Sequence, residues 1–248
     1  MSLYAIGDLH LHFNSRVWAE SQLNDPVWKD HELKFVENCN KLLNDDDTLV
    51  LVGDHSWGKK PEQCEADLDY IRRLPGRKIL TRGNHDKFWD VNKTEALNEK
   101  YQPELNFLQN NYMTYKDYAL IGSKGYTFEG PFYLNREGVI IGWDEEKELH
   151  ANGLINRESR RLVKAFEMAE ADGFSKFIMF LHYPPTNILE ESSIFTQIAE
   201  RYDVKEVVYA HCHGHERFHD SILGEFRGRN YRLVSGDYLN WVPEKSLD

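Results

Sequence analysis

Three cysteines in 248 residues, Cys39, Cys64 and Cys212, are too few and too scattered for a disulfide framework, and no CxxC pair is present. No apolar run approaches the length of a membrane helix. Met1 leads almost directly into "LYAIGD", which leaves no room for a signal peptide. These absences together predict a soluble protein in a reducing, cytoplasmic setting with no membrane partner. Positive charge is also scarce. Lys and Arg number 30 against 41 Asp and Glu, for a formal net charge of -11. That balance argues against a nucleic-acid binder, which needs a basic footprint. The small basic clusters "RESRR" (157–161) and "FRGR" (226–229) read as solvated faces. Low-complexity tracts, Pro/Ser-rich linkers and internal repeats are missing as well, so a single domain over 1–248 is expected. The 41% hydrophobic content is enough for it to bury a sizeable core.

What the chain does contain is a series of short apolar runs that end in polar residues. Strands are predicted at 3–7, 48–53, 77–82, 118–123, 131–135, 138–143, 177–182, 206–211 and 231–236, each rich in Val, Ile, Leu, Phe or Tyr and bounded by turn residues. Helices are predicted at 31–43, 62–74, 157–173 and 192–202. The second has Pro61 suited to its first turn and Pro75-Gly76 as its stop. Alternating strands and helices indicate α/β order, and the closely spaced strands of 118–143 suggest an antiparallel stretch, so a mixed sheet is expected. Segment 11–30 fits neither period. Its three aromatics read as a loop packed on its own domain, with a rim or lid over a site as the alternative.

Five predicted strand ends carry the polar residues that stand out. Asp8 and His10 follow "LYAIG", and Asp54 follows "TLVLVG". Asn84, His85 and Asp86 follow "KILTRG". His182 ends "FIMFL", and His211 and His213 follow "EVVYA". The carboxyl ends of parallel strands converge on one edge of a sheet, where ligands bind. Two aspartates, an asparagine and four histidines are too many ligands for one divalent ion and suit two ions sharing a carboxylate. Mixed nitrogen and oxygen donors without thiolate fit Mn, Fe, Zn or Co. In "HCHGH", His213 and His215 form a second possible ligand pair beside His211 and His213. His12 and His55 adjoin ligands, whereas His31, His150 and His219 read as surface residues.

The blocks "GDLH", "GD", "GNHD", a lone downstream His and "HCH", in this order from residue 7 to residue 213, resemble the five blocks of the calcineurin-like metallophosphoesterases. The "GDHSW" variant of the second block is similar to that of a bacterial subgroup of predicted phosphohydrolases. The resemblance implies an α/β fold of two mixed β-sheets packed as a sandwich with helices outside. It implies one metal held by Asp8, His10 and His213 and a second by Asn84, His182 and His211, with Asp54 bridging. It also implies that His85 is the general acid, oriented by Asp86, with attack by a metal-bridging hydroxide on a small phosphate ester. Two positions depart from the family pattern: Trp57 stands where the second block usually has Asp, and Ala210 where the last block usually has Gly.

The implied chemistry is consistent with these residue types. Two divalent ions bring +4, and two aspartates and a hydroxide leave about +1, so phosphate is drawn to the metals despite the acidic chain. Asn84 would ligate without removing charge, and Asp86 would favour the imidazolium form of His85. Arg82 is a candidate phosphate clamp, although a surface ion pair is the simpler role. Trp57, Phe88, Trp89, Tyr183 and Trp241 could stack a flat leaving group, but packing is the commoner use. Cys212, between two ligands, should point away from the metals. The alternatives to a small-ester phosphoesterase are a phosphodiesterase acting on nucleotides or nucleic acid, and a non-catalytic adaptor on the same fold.

Overall fold

The computed structural model describes residues 1–14, 25–130 and 133–247. It divides into two compact units, Met1–Phe107 with Val234–Asp248, and Leu108–Leu233.

The first unit is built on a five-stranded sheet. β1 (Leu3–Ile6), β2 (Thr48–Val52) and β3 (Arg77–Thr81) run parallel, with Ile6 beside Leu51 and Val52 beside Thr81. β4 (Leu105–Leu108) lies beyond β3, and β11 (Glu244–Leu247) joins β1 antiparallel, so the order is β11-β1-β2-β3-β4. Every residue of β2 is buried, which is why its sequence, TLVLV, is a continuous apolar run and not an alternating one. Helices α1 (His31–Leu42) and α2 (Pro61–Arg72) cover the sheet. They pack Phe35, Cys39, Leu68 and Ile71 with Leu49, Leu51, Leu80 and Trp241. Pro61 opens α2 as expected, because a first-turn residue has no helical use for its missing N–H. α3 (Thr94–Tyr101) completes the unit.

The second unit holds a six-stranded sheet. β6 (Tyr118–Ser123), β7 (Phe177–Leu181), β8 (Glu206–Tyr209) and β10 (Arg229–Leu233) are parallel. β5 (Tyr112–Tyr115) and β9 (Gly224–Phe226) close its edges antiparallel, giving the order β5-β6-β7-β8-β10-β9. α4 (Glu145–Ala171) and α5 (Ile194–Arg201) bury Leu162, Ala165, Phe166, Ala169, Phe195 and Ile198 against the sheet. The Phe166 and Tyr202 rings stack at 4.3 Å. A short helix, α6 (His215–His219), follows β8. Among the described residues no helix is long and apolar enough to cross a membrane.

Two mixed sheets with helices are what the sequence led us to expect, but several elements differ. The run 118–143 is not an antiparallel series, since β6 pairs parallel with β7 and antiparallel only with β5. Of the strands expected at 131–135 and 138–143, none is formed among the described residues. Residues 131 and 132 lie outside the described set, and 133–143 make turns with one isolated bridge, Leu134 to Ile140. Gly138 and Gly142 bend this segment at positive φ, and Val139, Ile141 and Trp143 stay more than half exposed. Their β propensity has no sheet face to satisfy it. α4 begins at Glu145 and not at 157, because the Asp144 carboxylate accepts from the amides of Glu146 and Lys147 and three glutamates fill the first turn. β4, β5, β9, β11 and α3 are too short or too polar to stand out as periodic patterns. In segment 11–30, residues 15–24 lie outside the described set, while Leu11 and Trp28 are buried in the first unit's core.

A buried carboxylate ties the second unit together. Glu158 accepts from Gln109 Nε2 (3.0 Å), Ser123 Oγ (2.7 Å) and Arg161 Nη1 (2.7 Å). Replacing Glu158 with Ala should cost about 1–3 kcal/mol, because buried donors on Gln109 and Ser123 are left unpaired. Thermal unfolding would register this as a fall of about 2–4 °C per kcal/mol.

Candidate metal centre

The three parallel strands of the first unit deliver their polar residues to one edge. The chain leaves β1 into Asp8 and His10, β2 into Asp54, and β3 into Arg82, Asn84, His85 and Asp86. The loops after β1 and β2 remain paired beyond the strands. Asp8 N donates to Gly53 O (3.0 Å), His10 N to Asp54 O (2.9 Å) and Leu11 N to His55 O (3.0 Å). Asp8, His10 and Asp54 all have left-handed backbones, with φ of 59°, 45° and 53°. Asp and His tolerate this region better than most residues, and clusters of such strain occur at functional sites.

The arrangement turns the side chains towards one another. Asp8 and His10 offer donor atoms within 4.8 Å of each other. His10 Nε2 lies 3.7 Å from Asp54 Oδ2. Asp54 Oδ1 accepts from the His85 amide at 2.7 Å, and the His85 ring reaches 3.9 Å from Oδ2. Asp8, His10 and Asp54 are buried, while Asn84 and His85 are half-buried in the loop after β3.

Asp86 is engaged otherwise than the resemblance implied. Its buried carboxylate accepts from the amides of Gly83 (2.7 Å), Asp54 (3.0 Å) and His55 (2.9 Å), so it holds the β2 and β3 loops together. Arg82 Nε donates to the carbonyl of Trp89 at 2.9 Å, a contact that fixes the loop after β3. Trp57 stacks on His10 with centroids 4.8 Å apart and lies 4.2 Å from His85, so it forms a wall shared by both imidazoles. Trp89 and Trp241 are core residues. His55 Nε2 donates to Thr81 O at 2.8 Å, fully buried.

His31 is not the surface residue expected. It is buried, with Nε2 2.8 Å from Leu9 O and Nδ1 3.0 Å from Trp28 O. Burial pushes its pKa down, against the raising effect of the Leu9 carbonyl and Glu32. It opens α1 within a polar stretch, where nothing in the sequence marks an inward-facing position.

In the second unit, His182 follows β7 and His211 lies two residues past β8. His182 Nε2 and His211 Nδ1 face each other at 3.1 Å. Two imidazole nitrogens on one cation, each about 2.0–2.1 Å from it, stand about 3.0–3.4 Å apart, so the pair is spaced as metal ligands are. His211 is left-handed at φ 72°, and the Tyr183 ring packs 4.1 Å from its own. Ala210 is not in the left-handed region, which is how alanine can occupy the position of a usual glycine. Cys212 is buried in this unit's core. His213 is half-buried, while His215 is exposed at the start of α6 with its ring 6.0 Å from Phe218. Lys124, just past β6 and not marked by any of the sequence motifs, accepts at its carbonyl from the amides of His182 (3.2 Å) and Tyr183 (2.9 Å). It follows an apolar strand just as Asp8 and Asp54 do.

The family model for calcineurin-like phosphoesterases matches residues 1–215, which include every candidate ligand position from Asp8 to His213. The chain belongs to the calcineurin-like phosphoesterase family. Among curated proteins it is similar to the gene 66 proteins of Mycobacterium phages D29 and L5. The first is 34% identical over 83 residues, covering 29% of this chain and 41% of that protein. The second is 35% identical over 79 residues, covering 32% and 37%. The match thus spans about two fifths of the length of these relatives. Among solved structures, a protein of unknown function from Aquifex aeolicus aligns over 98% of this chain and 95% of its own, at 18% identity and a TM-score of 0.50. The TT1561 protein of Thermus thermophilus aligns over 99% and 97%, at 11% identity and a TM-score of 0.54. Likeness at these identities shows the fold.

The donors present in this phosphoesterase-family chain fit a transition metal. They are imidazole nitrogens and carboxylate or carboxamide oxygens; Cys39 and Cys212 lie in the two cores, and Cys64 donates to the Lys60 carbonyl. Gly83 is required by the fit of the β3 loop on Asp54, since a Cβ at this position would collide with Asp54 Oδ1 and its backbone nitrogen. Gly83→Ala should therefore lower stability by about 1–3 kcal/mol and reduce metal retention, measurable by denaturation and elemental analysis. Trp57→Ala should leave metal content unchanged and lower kcat, as His85 loses the wall that limits its rotamers; steady-state kinetics beside elemental analysis tests this.

Proposed function

We propose that this protein hydrolyses a small phosphate ester with the help of two divalent cations, Mn, Fe, Zn or Co. Asp8, His10 and His213 would hold one, Asn84, His182 and His211 the other, and Asp54 would bridge them. The observation that carries the reading is the pairing of donors in each unit, Asp8 with His10 and His182 with His211, at the ends of parallel strands in a chain of this family. The family model runs across both units, which supports treating them as one functional domain. The GDxxW form of the second block supports placing the chain in the bacterial phosphohydrolase subgroup. Three buried, unbridged cysteines support a cytoplasmic setting.

When bound, the cations would polarise the phosphoryl oxygens and acidify the attacking water. The chain's own residues supply the rest. Asp8 and Asp54 contribute two negative charges to the ligand set, while Asn84 contributes an oxygen without charge. The His85 ring, about a third exposed beside Asp54, would give its proton to the departing alkoxide. Asp86 acts on that step indirectly, by fixing the loop that carries His85. Trp57 limits the positions the ring can take.

The test is metal-reconstituted hydrolysis of p-nitrophenyl phosphate and its bis-ester, with elemental analysis of the same samples. About two equivalents of metal per chain and metal-dependent turnover are expected. Asp54→Asn should abolish most of that turnover. His85→Asn should lower kcat by about 10²–10⁴-fold for alkyl phosphates. It should do much less for p-nitrophenyl esters, whose leaving group needs no proton. A protein that retains no divalent metal, or an Asp54 variant of undiminished activity, would overturn the reading.

A further inference from the structure

Lys124 is a buried cation of the second unit. It follows β6 and is 9% exposed, a degree of burial that lysine seldom reaches. Its backbone is locked. Its amide donates to Gln109 Oε1 (3.0 Å), whose side chain is held by buried Glu158, and its carbonyl receives the amides of His182 and Tyr183. The ammonium lies 5.3 Å from the centre of the Tyr183 ring and 5.8 Å from that of Tyr126. The same Tyr183 ring is 4.1 Å from His211 and 5.6 Å from His182. A cation carried on a fixed backbone therefore stands one aromatic ring away from the paired histidine nitrogens.

We propose that Lys124 binds the phosphoryl group of the substrate and selects the phosphate monoester dianion over the singly charged diester. The proposal rests on the two-metal reading above. The Lys124 ammonium adds a positive charge one aromatic ring from the His182–His211 pair, and a dianionic phosphoryl group held at that pair is attracted to it. A diester brings one charge fewer and gains less from the same ammonium. The aromatic rings favour the cation and leave its charge intact. Because the carbonyl, and not the side chain, secures His182, the side chain can be varied while the ligand loop stays in place.

The experiment is calorimetric titration of inorganic phosphate into manganese-reconstituted protein, for the unaltered chain, Lys124→Gln and Lys124→Arg, with metal content and melting temperature recorded. Steady-state kinetics on p-nitrophenyl phosphate and its bis-ester accompany it. Lys124→Gln should weaken phosphate binding about 10–100-fold and raise KM for the monoester by a similar factor, with metal content unchanged. Its effect on the bis-ester should stay within about threefold, and Lys124→Arg should restore most of the phosphate affinity. Lys124→Met replaces the Gln variant if the latter does not fold. Phosphate affinity unchanged in the Gln or Met variant, or no phosphate binding by the metal-loaded unaltered chain, would overturn the proposal. Failure of the two-metal reading would show separately, as protein that retains no metal.

Discussion

The carboxylate of Asp86 is the contact on which the first unit's site depends. A buried carboxylate must be answered by donors, and here three backbone amides, from Gly83, Asp54 and His55, meet that need. Those amides belong to the loops after β2 and β3, so one side chain keeps two strand ends in a fixed relation. The Asp54 carboxylate then receives the His85 amide, and Gly83 fits against Asp54 at a distance that excludes any side chain. Left-handed conformations at Asp8, His10 and Asp54 cost about 1–3 kcal/mol each and persist only where the surroundings over-determine them. The ladder of amide bonds from β1 to the β2 loop and the Asp86 contacts provide that determination.

The second unit solves the same problem with a different carboxylate. Glu158, on α4, gathers Gln109, Ser123 and Arg161, and Gln109 in turn orients the Lys124 amide. The Lys124 carbonyl then holds the amides that follow β7, and His182 is set opposite His211. In both units the residues with the right chemistry for a cation are at strand ends, and a buried acid outside the candidate ligand set keeps them there. Rigidity of this kind lets ligands wait in position, so that binding does not have to order them.

Trp57 shows how a departure from a family pattern can be absorbed. An aspartate at this position could accept a hydrogen bond, whereas the indole supplies area. It lies against His10 on one side and His85 on the other, coupling the two imidazoles by packing. An apolar wall of this kind keeps water from one side of both rings.

Much of this was legible in the residues themselves. β1, β2, β3, β6, β7 and β8 are apolar runs because parallel strands are covered on both faces, and their polar endings mark the sheet edges where Asp8, Asp54, Asn84, His182 and His211 stand. Residue type alone limited the chemistry to nitrogen and oxygen donors. Four other features were settled only by the fold. Val139, Ile141 and Trp143 have strand-forming side chains but no neighbouring strand beyond one bridge among the described residues. Asp86, beside His85 in sequence, turns to amides 31 and 32 residues away. His31 is drawn inside by the carbonyls of Leu9 and Trp28. Lys124 comes beside Tyr183 only through pairing of β6 with β7. The order of residues dictates which groups are available and where strands end. Which partner a side chain meets depends on contacts between segments far apart in the chain, and no local pattern encodes those.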